Sequence, residues 1–334
     1  MTARVPRSGP PLRERAFHAW LATHLPAGHR GLLPLGDDAA ALRPPAGKVA
    51  VVTTDSFVEG THFLPSSPPG RIGSASVAVS LSDLAAKGAQ PAAVLLAVIV
   101  PPGTPREWVH ALTLGAERTA ARHGSHVVGG DTKPGPVRTV VSVALGWGRA
   151  GRLAPRSGAR EGDLLVTTGV VGRGGAAAAR LGDGTRPTSQ ALAALLDVHP
   201  RVREGQQLIR WAHAMLDTSD GLADGARLLA SASHQRIVVE ESRLPWAREV
   251  RRLARSAAGL RTLAFFGGDY ELLAAIPAED LRRAEEAVRA QGGRLTRIGW
   301  VEGGSGAWLA TTSGLLPMPP AGWAPFESDV RPRS

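Results

Sequence analysis

The segment Phe265–Leu273, FFGGDYELL, runs from an apolar pair through two glycines into an acid, an aromatic, a second acid and further apolar residues. It reads as a buried strand ending in a glycine turn that presents a carboxylate. The same device stands in the other half of the chain, in HVVGGDTKPG (His126–Gly135), where Val127 and Val128 run into Gly129, Gly130 and Asp131. Around both segments, strand-like runs alternate with helical ones. KVAVVTTD (Lys48–Asp55), AAVLLAVIV (Ala92–Val100) and RTVVSVALGW (Arg138–Trp147) read as strands. The segments from Ile72 and from Pro105 have helical periodicity and end near a glycine, as does a helix expected around Leu12–Leu25 in periodicity alone. After a Gly-, Arg- and Pro-rich stretch, Gly146–Gly162, the alternation resumes with DLLVTT, an Ala-rich helix after Gly174, a helix from Val202, the turn LDTSDG, a helix from Leu222 and the strands RIVVE and RLTRIGWV. An α/β (α+β) protein of two domains, 1–149 and 150–334, is predicted.

The chain of 334 residues has ample material for two cores. With 43% apolar and 20% charged residues and no apolar run near the ~20 residues of a membrane span, a soluble protein is expected. MTARVPRSGPPLRERAF has basic residues but no apolar stretch behind them, so no secretory signal is read and the cytoplasm is the expected compartment. There is no cysteine, which excludes disulfides, thiolate metal sites and a cysteine nucleophile. The net charge of +10 is scattered, with lysine only at Lys48, Lys87 and Lys133, and no basic stripe is interleaved with aromatics. Generic basicity is therefore preferred to a nucleic-acid surface.

Five acid-bearing stretches stand out: LGDDAA (Asp37, Asp38), TTDSFVEGTHF (Asp55, Glu59, His62), SLSDLAAKGA (Asp83), VVGGDTKPG (Asp131) and LDTSDGLADG (Asp217, Asp220, Asp224). Each has an ordinary reading as a turn or cap, and Asp83 stands one helical turn before Lys87. As a set, carboxylates flanked by Ser and Thr hydroxyls and glycine-exposed backbone are what oxygen-seeking Mg²⁺ takes. Magnesium bridging polyphosphate oxygens would relieve the mutual repulsion of the acids, so the set predicts a phosphoryl-transfer site using ATP. No Walker-type G-x-x-x-x-G-K-[ST] occurs. GRGGAA (Gly172–Ala177) matches G-x-G-x-x-A, but in a chain with 40 glycines a close-packed helix start is the preferred reading.

Taken in order, GDDAA, TTDSFVEGTHFL, SLSDLAAKGAQP, GGDT, RSGAREGD, LDTSDGL and GWAPF, from about Gly36 to Phe326, resemble the thiamine-monophosphate kinase family. That family belongs to the superfamily of aminoimidazole ribonucleotide synthase, selenophosphate synthase and the hydrogenase-maturation dehydratase. The resemblance implies an aminoimidazole ribonucleotide synthase-like fold: an N-terminal domain whose strands pair across a homodimer barrel, and a C-terminal α/β domain. It implies several Mg²⁺ ions at Asp38, Thr53, Thr54, Asp55, Asp83, Asp131, Asp217 and Asp220, nucleotide contacts at Gly130, Asp131, Arg156 and Ser219, and substrate contacts at His62 and Trp323. Without it, His62 reads equally as a loop histidine and Trp323 as a core aromatic. The selenophosphate and hydrogenase-maturation siblings rely on cysteine or selenocysteine chemistry, which this sequence does not supply. An aminoimidazole ribonucleotide synthase-like enzyme on another substrate, and a weakened relative that only binds nucleotide or thiamine phosphates, remain the alternatives.

The reaction implied is ATP plus thiamine monophosphate giving thiamine diphosphate and ADP. Its nucleophile is a phosphate oxygen already ionised near neutral pH, so no acid–base residue is expected, and Asp83, Asp131 and Arg156 would act electrostatically. At the opening segment the family reads Gly-Gly-Glu-Asp-Tyr-Glu-Leu, its first Glu contacting substrate. Here Gly268 stands in that place, or one residue has been lost.

Overall fold

A computed structural model describes residues 14–25, 39, 42–181, 195–320 and 322. The chain separates into two compact units, Met1–Leu84 with Gln90–Arg149, and Ala85–Ala89 with Ala150–Ser334. Among the described residues no helix is long and apolar enough to cross a membrane.

The first unit contains α1 (Glu14–His24), β1 (Lys48–Val58), α2 (Pro69–Ala86), β2 (Gln90–Val100), α3 (Arg106–Arg122), β3 (Val127–Pro134) and β4 (Thr139–Arg149). Its four strands form a sheet in the order β1-β4-β2-β3, antiparallel except for the parallel pair β2 and β3. Helix α2 opens on Pro69, whose missing N–H costs nothing in a first turn, and is followed by Gly88 at φ +60. Between these, Ile72, Val77, Leu81 and Leu84 are buried. Each such side chain contributes about 1.5–3 kcal/mol through burial. Helices α2 and α3 touch through glycine: a Cβ on Gly73 would stand 1.9 Å from the Leu112 carbonyl oxygen, and one on Gly115 the same distance from that of Gly70.

Alternation along β1 puts Val51, Thr53, Asp55 and Phe57 on the covered face of the sheet and Val52, Thr54 and Ser56 on the other. That second face is open, with Val52 60% and Leu95 40% exposed. The Gly-Gly-Asp of β3 is not a turn after the strand, as the sequence suggested, but lies inside it: Gly129, Gly130 and Asp131 pair with Leu95, Leu96 and Ala97. Gly130 is required by this close pairing, since a Cβ there would meet the Leu96 carbonyl oxygen at 1.9 Å.

The second unit contains β5 (Leu164–Thr168), α4 (Arg173–Leu181), α5 (Val202–Leu208), β6 (Ala214–Asp217), α6 (Leu222–Ser233), β7 (Arg236–Glu240), α7 (Arg248–Leu253), α8 (Ala257–Ala264), β8 (Leu272–Ile276), α9 (Leu281–Arg289), β9 (Leu295–Glu302), β10 (Ala307–Thr311) and β11 (Gly314–Pro317). The strands make a seven-stranded sheet, β11-β10-β7-β9-β5-β8-β6, in which only β7 and β10 pair in parallel. Leu165, Leu216, Leu229, Ile237, Phe265, Leu273 and Leu309 belong to its core. Contrary to the sequence pattern, Phe265 and Phe266 do not end a strand but follow α8, whose start is capped by Ser256 accepting the Gly259 N–H. The strand begins only at Leu272.

Candidate active site

In the first unit, acids and hydroxyls from separate elements meet under the sheet. Ser76, Ser80 and Asp83 recur at four and three residues along α2 and so share one helix face. The Thr53 hydroxyl of β1 donates to Asp83 Oδ2 at 2.5 Å. Ser80 donates to Asp55 Oδ2 at 2.8 Å, the Ser80 and Ser142 hydroxyls lie 2.6 Å apart, and Ser142 of β4 donates to the Ser76 carbonyl. Thr53, Asp55 and Asp83 thus form an oxygen-only group with donors suited to a hard divalent cation. Among the described residues, no group of three or more His, Asp or Glu side chains is gathered for a metal.

The other expected ligands of this unit stand apart from that group. Thr54 faces the open side, in the cross-strand row with Val143 and Leu95. Asp131 is separated from β1 by β4 and β2; its exposed carboxylate accepts the Thr132 N–H and pairs with the Lys133 ammonium, both at 2.8 Å. Asp38 and Trp323 lie outside the described residues. His62 follows β1 in a turn and stacks on Phe57, with ring centroids 5.2 Å apart. Its Nδ1 lies 3.1 Å from the Val58 N–H, and burial holds its pKa below the usual histidine value. A neutral ring whose Nδ1 accepts presents Nε2–H as its donor.

In the second unit, two acid-bearing turns are pressed together. Asp217 ends β6 and is buried, Ser219 donates to its Oδ1 at 3.1 Å, and Asp220 is exposed at the start of α6. Against this turn lies Gly267–Glu271, whose Gly268 N–H donates to the Ser219 carbonyl at 2.7 Å. Glycine is needed at the contact: Gly221, Gly267 and Gly268 all have positive φ, and a Cβ on Gly221 would stand 2.2 Å from the Phe265 carbonyl oxygen. Arg156 sits in an exposed loop fastened by its own backbone, its carbonyl accepting the Ser233 hydroxyl at 3.0 Å.

Asp269 is buried and held by backbone. Its two carboxylate oxygens accept the N–H groups of Gly172 and Gly174, at 2.7 and 2.8 Å. Burial pushes its pKa up to about 7, against the pull of those two bonds and with help from the neighbouring Glu271. The GRGG stretch is therefore a close-packed helix start. The Gly172 and Gly174 N–H groups are committed to Asp269, and a Cβ on Gly174 or Gly175 would strike the Gly267 or Leu263 carbonyl oxygen.

The chain matches the family models for AIR synthase related protein, N-terminal domain, over residues 36–149, and AIR synthase related protein, C-terminal domain, over 160–308. It is 38% identical over 245 residues to the thiamine-monophosphate kinase of Synechococcus elongatus, a match covering 65% of this chain and 73% of that one. The chain belongs to the thiamine-monophosphate kinase family. The solved thiamine-monophosphate kinase of Stenotrophomonas maltophilia superposes with a TM-score of 0.79 at 30% identity, covering 90% of this chain and 97% of that one. The structure of AaThiL complexed with AMPPCP and TMP gives 0.72 at 28% identity, covering 86% and 90%.

Several contacts of the two groups were not legible in the family motifs. Ser80 and Ser142 meet across 62 residues of sequence, and only the spacing of Ser76, Ser80 and Asp83 on α2 hints at the seam. Glu271, buried against Arg201 and Thr168, gave no signal beyond its place in the segment FFGGDYELL. Lys87 lies one turn after Asp83, yet its ammonium donates to the Ala154 and Met215 carbonyls at 3.0 and 2.8 Å.

Proposed function

We propose that this protein transfers the terminal phosphoryl group of ATP to thiamine monophosphate, giving thiamine diphosphate and ADP. The observation that carries the reading is the Thr53–Asp83 and Ser80–Asp55 seam, an oxygen-only ligand set in a chain of the thiamine-monophosphate kinase family. A relative complexed with AMPPCP and TMP supports a site that takes a nucleotide together with an acceptor.

The acceptor oxygen is ionised near neutral pH, so these residues need to bind and orient two anions rather than move a proton. Thr53, Asp55 and Asp83 are the proposed holders of one Mg²⁺, and Asp38, Asp131, Asp217, Asp220 and the Thr54 position, which stand apart from that group, of further Mg²⁺ ions. Bound at these residues, the cations would supply neutralisation of phosphate charge. Ser80 and Thr53 orient the carboxylates by donating to one oxygen of each. Arg156, with Gly130, Asp131 and Ser219, is assigned to the nucleotide, where a guanidinium matches phosphate geometry. His62 offers Nε2–H to the acceptor, and Trp323 an aromatic face for its cationic ring. At Gly268 the acid expected for the acceptor is missing, and Asp269 is committed to Gly172 and Gly174, so acceptor binding is weaker than in relatives that carry the Glu.

The domains 1–149 and 150–334 are proposed as the two functional halves, and the cytoplasm as the compartment. A homodimer is proposed as well, with the open sheet face bearing Val52 and Leu95 covered by a second copy; Val52→Lys should shift the protein to monomer in sedimentation, and an unchanged mass would reject that surface. The activity is tested by incubating the purified protein with ATP, Mg²⁺ and thiamine monophosphate and following thiamine diphosphate.

A further inference from the structure

The second unit holds an ion pair between the half-buried Arg201 and the buried Glu271 that the proposed chemistry leaves without a role. The Glu271 carboxylate accepts two bonds from Arg201, from Nε and Nη2, both at 2.6 Å, and a third from the Thr168 hydroxyl at 2.7 Å. Thr168 returns to the same strand by accepting the Leu272 N–H at 2.8 Å. Space for the carboxylate comes from Gly169, where a Cβ would stand 2.0 Å from Glu271 Oε1. Arg201, at the entry to α5, is also approached by Glu204 at 3.5 Å. The side chain of Glu271 is thus fixed from two other elements.

Its main chain is tied just as closely to the Asp217–Gly221 turn. The Thr218 N–H donates to the Glu271 carbonyl at 2.8 Å, and the Glu271 N–H donates to the Thr218 hydroxyl at 3.1 Å. Thr218 is buried, and its neighbours on either side are Asp217 and Ser219. A shift of the Glu271 backbone therefore moves a proposed metal ligand and a proposed nucleotide contact together. For stability alone an apolar pair would serve as well as a buried ion pair; what the planar two-bond fork adds is a fixed direction.

We propose that Arg201 and Glu271 are positioning residues, a clamp that acts through Thr218 to hold Asp217 and Ser219 in register for the nucleotide. The inference rests on the reading of the Asp217–Gly221 turn as part of the ATP site. Arg201→Lys keeps the charge and loses the fork, and should raise KM for ATP·Mg²⁺ about tenfold while KM for thiamine monophosphate stays within about twofold. Thr218→Val, which leaves the ion pair in place, should do the same, Thr218→Ser should restore the wild-type value, and the double variant Arg201→Lys/Thr218→Val should be no worse than the worse single one. A lowered Tm with an unchanged KM for ATP·Mg²⁺ in either single variant would reduce the pair to a brace of the fold and overturn the proposal. If Arg201→Lys does not fold, Thr218→Val against Thr218→Ser decides it. Asp217→Asn separates the two ideas: loss of turnover with the fold retained supports the reading of the turn, whereas wild-type turnover would remove that reading whatever the clamp does.

Discussion

Restoring the missing acid is the sharpest perturbation, and Gly268→Glu can be worked from the geometry. At φ +79 a side chain is strained, which costs about 1–2 kcal/mol. Space is not the obstacle, because the new Cβ would meet Gly174 Cα at 3.4 Å, an ordinary contact. In a unit of this size, that strain lowers Tm by about 2–8 °C. Against it, a carboxylate making one charged hydrogen bond to the acceptor is worth about 1.5–3 kcal/mol, or roughly 10- to 150-fold in KM for thiamine monophosphate. The variant should therefore melt earlier and bind the acceptor more tightly, read by thermal unfolding and by steady-state kinetics at saturating ATP and Mg²⁺. An inserted Glu between Gly268 and Asp269 is the companion variant, since it restores the family's residue order without placing the acid at Gly268. If the wild-type KM is already as low as that of both variants, the inference that Gly268 weakens acceptor binding is wrong.

Asp83→Asn should retain the fold and lose at least about 10²-fold in turnover, since it removes a charge from the ligand group that Thr53 orients; near-normal activity would sink the metal-site reading. Asp269 sets a pH dependence of stability. Its folded pKa of about 7 lies above the ordinary 3.8, so the protonated form stabilises the fold at low pH, and that stability declines by at most about 1.4 kcal/mol per unit as pH rises from about 4 to 7. Asp269→Asn should flatten this slope in denaturant titrations, and an unaltered slope would contradict it.

Where a segment was long and periodic, the element was legible. The run Lys48–Asp55 became β1, extended to Val58, and the segments from Ile72 and Pro105 became α2 and α3. Phe265–Phe266 reads as a strand end because two buried apolar residues have no period; only the Ser256 cap nine residues upstream of Phe265 distinguishes the end of a helix from that of a strand. GRGGAA was legible as packing because a chain with 40 glycines makes such a match common, and the structure adds that Cβ atoms on Gly174 and Gly175 would have no room. The site was legible as a set of acids but not as a geometry. Thr53 reaches Asp83 and Ser80 reaches Asp55 because α2 lies along β1, whereas Thr54 is turned away by strand alternation and Asp131 is held off by two strands, relations that spacing within a motif does not encode. The Arg201–Glu271 clamp joins residues 70 apart in sequence, and Thr168 reaches it only once β5 and β8 are paired.

The most direct measurement is turnover of the wild-type protein with ATP, Mg²⁺ and a small panel of phosphorylated acceptors, quantifying ADP and acceptor product together. Equimolar ADP and thiamine diphosphate, formed only with thiamine monophosphate present and abolished in Asp83→Asn, is the predicted result. No thiamine diphosphate, alongside turnover of another phosphorylated acceptor or binding of ATP without turnover, would contradict it.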